Sequence, residues 1–178
     1  NIQARLRMMY LYHLASIHHG IVIDTDNLTE NNLGYWTLHG DVGDFNPIGG
    51  LWKTEIFKLA EWMAKFYDST SAIHSNTHFK IIEQAKATAI RESIKLKPTA
   101  GLGITNNDLE ELGAESYEQV DAILQEILAW KWLAKERGDF PESIKEQREM
   151  FLDEQQMLDT PIEIILNITN RHFNSEFK

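Results

Sequence analysis

A chain of 178 residues with 43% hydrophobic side chains can build one domain with a core of its own, and is short for two. Its formal net charge of −10 argues against wrapping nucleic acid or lying on an anionic membrane, although a few local basic groups can still hold a small anion. The absence of cysteine excludes disulfide frameworks and thiolate chemistry and fits a reducing, cytoplasmic setting, and no apolar run nears the roughly 20 residues of a membrane span.

From Ile2 to Ile17, apolar residues fall at Leu6, Met9, Tyr10, Leu14 and Ile17, with His13 among them, which is the i, i+3, i+4 pattern of an amphipathic helix. Arg5 lies one residue off this stripe, where its guanidinium either reaches a ligand beside the core or sits solvated on the surface. His18-His19-Gly20 reads as the helix stop, with Gly20 as the terminator and the histidines where the helix dipole favours positive charge.

The stretch Gly20 to Lys53 holds the densest set of special residues. Ile21 to Asp24 reads as a short buried strand, followed by the polar turn Asp24-Thr25-Asp26-Asn27. Asn27 or Thr29 caps a short helix whose first turn carries Glu30 and which Gly34 ends. The loop from Leu38 to Gly50 is rich in glycine and aspartate (Gly40, Asp41, Gly43, Asp44), and loops of that length in compact domains are often functional. Lys53 then opens a helix, where outward-pointing backbone N–H groups would suit phosphate. A buried strand leading to hydroxyl, carboxylate and lysine groups is how α/β proteins hold a phosphorylated ligand at the strand's carboxyl edge.

The helical pattern after Lys53 loosens from Lys65 to Ser75 and resumes from Phe79 to Leu96. His74 and His78 have the i, i+4 spacing of a metal-binding pair, but no third ligand is evident and a solvated helix start is the plainer reading. Arg91, Lys95 and Lys97 form a small basic cluster before the break Pro98-Thr99-Ala100-Gly101-Leu102-Gly103. Asn106 to Leu112 is short and acidic. Glu118 to Ala134 is a strong helix whose leucines, isoleucines and Trp130 are core packing, Gly138-Asp139-Phe140-Pro141 stops it, and a last helix begins at Thr160-Pro161. The chain therefore reads as mostly helical with one or very few strands. It starts on Asn1 with a helix already running and ends on Lys178 soon after another, so a fragment or processed chain is expected.

Several segments, in one order, resemble the synthetase domain of the NAD synthetase family, in the ATP pyrophosphatase group. Asn1-Ile-Gln-Ala-Arg-Leu-Arg-Met8 resembles the family's N-x-x-A-R-x-R-M helix, and Gly20-Ile-Val-Ile-Asp-Thr-Asp-Asn-Leu-Thr-Glu30 its G-x-V-x-G-T-x-N-x-x-E strand and turn. Gly34, Thr37, Gly40, Asp41, Asp44, Pro47 and Ile48 follow its next motif, with Lys53 at the expected place. Pro98-Thr-Ala-Gly-Leu102, Glu111-Leu-Gly113, Ser116-Tyr117 and the closing Ser175-Glu-Phe-Lys178 complete the set.

The resemblance implies an α/β, adenine-nucleotide hydrolase-like Rossmann fold, present here as a mostly helical C-terminal portion over residues 1–178. It implies amidation of deamido-NAD: ATP activates the carboxylate as an adenylate with release of pyrophosphate, and ammonia, free or glutamine-derived, displaces AMP. Thr25, Lys53 and Thr99 would contact ATP, Glu30 would help hold Mg²⁺, and Arg5, Asp44, Phe177 and Lys178 would contact deamido-NAD. A homodimer is the implied assembly. The family's S-G-G-x-D-S phosphate loop, which carries the other Mg²⁺ ligand, would precede Asn1. Asp24 replaces the usual glycine before Thr25, Leu38 stands where many members have a substrate lysine, and the spacing from Lys53 to Thr99 is longer than in many members. Two other readings are open: a non-catalytic nucleotide-binding or assembly module, and a different ATP pyrophosphatase acting on another substrate.

Overall fold

Helix α6 (Tyr117–Arg137) is the packing centre, and its sequence explains why. Val120, Ile123, Leu124, Ile127, Trp130 and Ala134 recur every three or four residues and are all buried. The Ser116 side chain caps its start by accepting from the Gln119 N–H at 3.4 Å, and Gly138, at φ 77°, ends it in the left-handed region. The computed structural model describes residues 2–40, 42–95, 107–154 and 160–175. Around α6 lie α2 (Leu28–Leu33), α5 (Asp108–Leu112), α7 (Ile144–Glu154) and α8 (Ile162–Ser175). They close the core with Leu33, Leu112, Phe151, Ile164, Ile165, Ile168 and Phe173.

Two elements stand outside this core. Helix α1 (Ile2–His18) buries only Ala4 among its residues, and Ile2, Leu6, Met9, Tyr10 and Ile17 are exposed, so the expected apolar face exists but is uncovered. Its stop is not the expected glycine: His19 takes the positive φ, 51°, while Gly20 donates its N–H back to the Ala15 carbonyl at 2.8 Å. Helices α3 (Lys53–Ile73) and α4 (Thr77–Ile94) form a long antiparallel hairpin in which α4 rests almost wholly on α3. The helix that looked interrupted after Lys65 runs unbroken to Ile73, because Ala64 and Ser71 pack inward on the hairpin side.

The expected buried strand at Ile21–Asp24 is corrected. Among the described residues it makes a single isolated parallel bridge, Ile23 to Phe45, and Ile21 and Ile23 are exposed while only Val22 is buried. An extended β-branched run becomes a sheet strand only where a neighbouring strand is present to pair with it. The backbone is nonetheless held: Asp24 N–H donates to Phe45 O at 2.9 Å and Asp44 N–H to Val22 O at 2.8 Å. Gly43 is required here, since a Cβ would sit 2.5 Å from the Asp24 nitrogen.

One buried carboxylate joins the core to the outlying elements. Asp121, on the buried face of α6, accepts from the Thr29 hydroxyl at 2.5 Å and from the Thr54 N–H at 3.0 Å. It thereby fixes the start of α3 against α2. Removing it leaves a buried donor and a buried hydroxyl without acceptors. Asp121→Ala is expected to lower unfolding free energy by about 3 kcal/mol in a urea titration; an unchanged midpoint would contradict this tie.

Candidate functional site

The turn after the extended segment builds the site from short-range hydrogen bonds. Asp24 accepts from the Asp26 N–H at 3.0 Å, an Asx turn that redirects the chain past Thr25. Of the two possible caps for α2, Asn27 is the one used. Its side chain accepts from the Glu30 N–H at 3.0 Å, and the Glu30 carboxylate accepts from the Asn27 N–H at 3.1 Å, a reciprocal capping box. Gly34, at φ 66°, ends the helix as expected.

Glu30 is thus held in place by one oxygen, Oε2, while the other, Oε1, faces Lys53. The Lys53 ammonium donates to Glu30 Oε1 at 2.5 Å, and the two side chains are only 12% and 19% exposed. Lys53 also lies over the Tyr117 ring, 5.5 Å from its centroid, and the Tyr117 hydroxyl donates to Asp108 at 3.2 Å. Burial raises the Asp108 pKa above the usual carboxylate range, against the lowering effects of the Tyr117 hydroxyl and the Lys53 charge. Burial, with the Asp108 charge second, likewise pushes the Tyr117 phenol up. Alongside, Arg171 spans the Tyr35 ring at 4.3 Å and donates to Glu111 at 3.0 Å and to the Leu33 carbonyl at 3.0 Å. The Tyr35 hydroxyl is buried with no hydrogen-bond partner among the described residues. Its pKa is raised by burial and, next, by the Glu111 charge.

The α3 N-terminus is not the open anion site expected from the sequence. Its first two N–H groups are taken, Lys53 N–H by the Thr29 hydroxyl at 2.9 Å and Thr54 N–H by Asp121, and the Trp52 N–H before them donates to Glu55 at 2.9 Å. Lys53 can serve an anion through its side chain alone.

The other predicted residues are distributed as follows. Thr25 is exposed on the turn before α2. Asp44 is exposed, and its carboxylate accepts from the Val22 N–H at 2.9 Å, which pins the glycine-rich loop to the extended segment. Arg5 is exposed on α1 and donates to the Leu38 carbonyl at 3.1 Å, so α1 delivers it to the loop that carries Asp44. Asn46 reaches back to the Asp26 carbonyl at 2.7 Å. Thr99, Phe177 and Lys178 lie outside the described residues. His74 and His78 flank the α3–α4 turn, with His74 stacked on Phe79 and the His78 N–H donating to Asn76. No group of three or more metal-ligating side chains is found among the described residues. Arg91 is paired with Asp68 and Lys95 with Glu92, so the basic cluster is largely self-satisfied.

Asp108, Asp121, Tyr35 and Arg171 were not among the site residues expected from the sequence, although Tyr35 falls within the Gly34–Thr37 motif. Asp121 had a legible signal, because it falls four residues after Tyr117 and three before Leu124 on the buried face of α6.

The carboxylate of Glu30 and the ammonium of Lys53 are thus brought together from α2 and α3, with Tyr117 and Asp108 beside them. The family described as NAD synthase matches residues 1–164, and the chain belongs to it. The NH(3)-dependent NAD(+) synthetase of Thermoplasma volcanium is 37% identical over 129 residues, 71% of this chain and 43% of that protein. That of Methanocaldococcus jannaschii is 32% identical over 154 residues, 86% of this chain and 47% of that protein. Among solved structures, an NMN synthetase from Francisella tularensis superposes with a TM-score of 0.52 at 27% identity, covering 98% of this chain and 52% of that one. The chain thus spans about half the length of the relatives it matches. No helix among the described residues is long and apolar enough to cross a membrane.

Asp108 supplies a test of the site's electrostatics. A carboxyl whose folded pKa is raised stabilises the fold while protonated, and that stability is lost as pH rises through the folded pKa. Asp108→Asn removes the cost of the buried charge and keeps an acceptor for Tyr117. It should therefore raise the thermal midpoint at pH 7, with the gain fading as pH falls toward about 4. A midpoint lowered at pH 7 and unchanged near pH 4 would show instead that the charged form stabilises the fold.

Proposed function

We propose that residues 1–178 form the C-terminal part of a NAD synthetase domain with an adenine-nucleotide hydrolase-like Rossmann fold. The whole protein would convert deamido-NAD to NAD with ATP and ammonia, through an adenylate, releasing AMP and pyrophosphate. The observation that carries this reading is the Glu30–Lys53 pair at 2.5 Å, placed by family motifs at the edge of the Gly20–Lys53 stretch. In this reading Lys53 gives up Glu30 for a phosphate oxygen of ATP, and Thr25 and Thr99 add hydroxyl contacts. Arg5, Asp44, Phe177 and Lys178 form the dinucleotide end. Supporting that grouping, Arg5 and Asp44 are each tied to the segment between Val22 and Asp44.

Glu30 fits a hard cation such as Mg²⁺, because Oε1 already accepts a positive group at 2.5 Å while Oε2 is fixed by the cap. When bound, the metal would neutralise phosphate charge, and its remaining protein ligand would come from a phosphate loop outside residues 1–178. The chain's own contribution is positional. The capping box orients the carboxylate, the Asp121 tie sets where Lys53 leaves α3, and the Tyr117 ring gives the ammonium a second resting face. The exposed apolar faces support the homodimer expected of the family, and a cytoplasmic setting agrees with the lack of cysteine.

A second reading has its own support. The solved neighbour, titled an NMN synthetase, superposes on 98% of the chain at 27% identity. On this reading the acid amidated is the mononucleotide and not the dinucleotide.

Titrating MgATP into the ¹⁵N-labelled chain should shift the amides around Glu30 and Lys53, and Lys53→Ala should weaken that binding about tenfold. Shifts confined to other regions would contradict the site. The isolated chain should form neither AMP nor NAD from ATP, deamido-NAD and ammonia, and formation of both would refute that expectation. In a protein that includes the phosphate loop, comparing turnover of deamido-NAD and nicotinate mononucleotide separates the two substrate readings.

A further inference from the structure

A cavity of about 430 Å³ lies where the second half of α6 meets the ends of α2 and α8. Its size is that of a small-molecule cleft. Helical spacing builds it. Leu128, Lys131, Trp132 and Lys135 recur at i, i+3, i+4 and i+7 on one face of α6, beside the stripe that packs the core. His172 and Ser175 meet them from α8, and Asn31 and Asn32 from the last turn of α2.

The walls are fixed by hydrogen bonds. His172 Nδ1 lies 3.0 Å from the Asn32 carbonyl, and the Ser175 hydroxyl donates to the same oxygen at 3.0 Å, so α8 grips the C-terminal end of α2. The other ring nitrogen, Nε2, lies 2.8 Å from the Lys131 ammonium. A charged lysine only donates, so Nε2 accepts, Nδ1 carries the proton toward Asn32, and the imidazole is neutral. Lys131 also rests over the Phe173 ring at 4.5 Å. It is therefore oriented by two groups that add no negative charge. Lys131 and His172 are 7% and 3% exposed and form the floor, whereas Trp132, 62% exposed, stands at the rim with Lys135.

The sign of the lining selects the ligand. Three of the eight lining residues are basic and, among the described residues, none is acidic, in a chain with 27 acidic side chains against 17 lysines and arginines. On the open surface such cations sit against carboxylates, as Lys86 does with Glu83 and Arg137 with Glu154. A concave site of one sign with low-dielectric walls focuses its field on an anion. The Trp132 indole and Leu128 add a flat apolar wall, for which a bare inorganic anion has no use.

We propose that this cavity binds a small organic anion, a flat ring bearing a phosphate or a carboxylate, with the anionic group toward Lys131 and Lys135 and the ring against Trp132. The site shares no residue with the Glu30, Lys53, Tyr117 and Asp108 group and does not depend on the nucleotide reading.

The test is titration of the ¹⁵N-labelled 178-residue chain with phenyl phosphate, benzoate, inorganic phosphate and benzyl alcohol. At least one of phenyl phosphate and benzoate should bind saturably, with a dissociation constant of about 1 mM or below, and the tighter of the two names the anionic group. Binding should shift the amides of Asn32 and His172 and the Trp132 indole N–H, which is identified by its loss in Trp132→Phe. Inorganic phosphate should bind at least about tenfold more weakly, and benzyl alcohol should not bind. Lys131→Met should weaken the ring-bearing anion at least about tenfold. Lys135→Glu, at an exposed position that folding does not depend on, should weaken it at least about threefold, and Lys53→Ala should leave it unchanged. Thermal melts check that each variant is folded. No saturable binding, benzyl alcohol binding as well as the anions, inorganic phosphate binding as tightly as phenyl phosphate, or binding sensitive to Lys53→Ala but not to Lys135→Glu would each overturn the proposal. So would binding that appears only when Glu176→Gln removes the carboxylate following Ser175, since the cavity would then serve the chain's own acid.

Discussion

The geometry of the candidate site depends on one buried carboxylate. Asp121 projects from the core face of α6 and takes the Thr29 hydroxyl and the Thr54 N–H, so α2 and α3 are positioned by the same group. Thr29 in turn accepts the Lys53 N–H, which closes a network running from the core to the first residue of α3. A charge in that place is tolerated because it is hydrogen-bonded on both oxygens and because helix α3 presents the positive end of its dipole to it. The consequence for function is direct. The first N–H groups of α3, which the sequence offered to a phosphate, are used internally, and in the proposed reading an anion would be met by the Lys53 side chain.

Those side chains are held in opposition. Glu30 serves as half of a capping box and as the partner of Lys53, and both groups are largely withdrawn from water. Two opposite charges that satisfy each other make a stable resting state, which a ligand must exchange for contacts of its own. In the proposed reading a phosphate oxygen of ATP would take the place of Glu30 at Lys53, and Glu30 would be left to help hold the cation. Asp108 and Tyr117 beside them are groups whose charged forms are disfavoured by burial. Perturbed titratable groups gathered at one place are what functional sites tend to maintain at a cost to stability.

Much of this was legible in the sequence where the determinant is local. The Asn27–Glu30 box, the Gly34 terminator, the apolar rhythm of α6 and the contact-poor polarity of the Leu38–Gly50 loop are all short-range features. What escaped was set by partners distant in sequence. The Ile21–Asp24 run has strand chemistry but pairs only once, with Phe45, so propensity alone overstated it. Lys53 was identified as a cation for phosphate, but nothing nearby in sequence announced that Thr29 and Asp121 claim the N–H groups beside it. The loosened pattern after Lys65 concealed a continuous helix, because its spacing follows two surfaces at once, one packed on α4 and one open. The family motifs, by contrast, were carried by order and spacing and needed no fold to be read.

In the proposed reading Glu30 and Lys53 are an exchangeable pair at a nucleotide edge. A crystal structure of the chain grown with MgATP tests it most directly. The account predicts that Lys53 leaves Glu30 for a phosphate oxygen while the Asn27–Glu30 cap and the Asp121 tie stay intact. Nucleotide bound with the Glu30–Lys53 contact undisturbed, or bound elsewhere on the molecule, would contradict it.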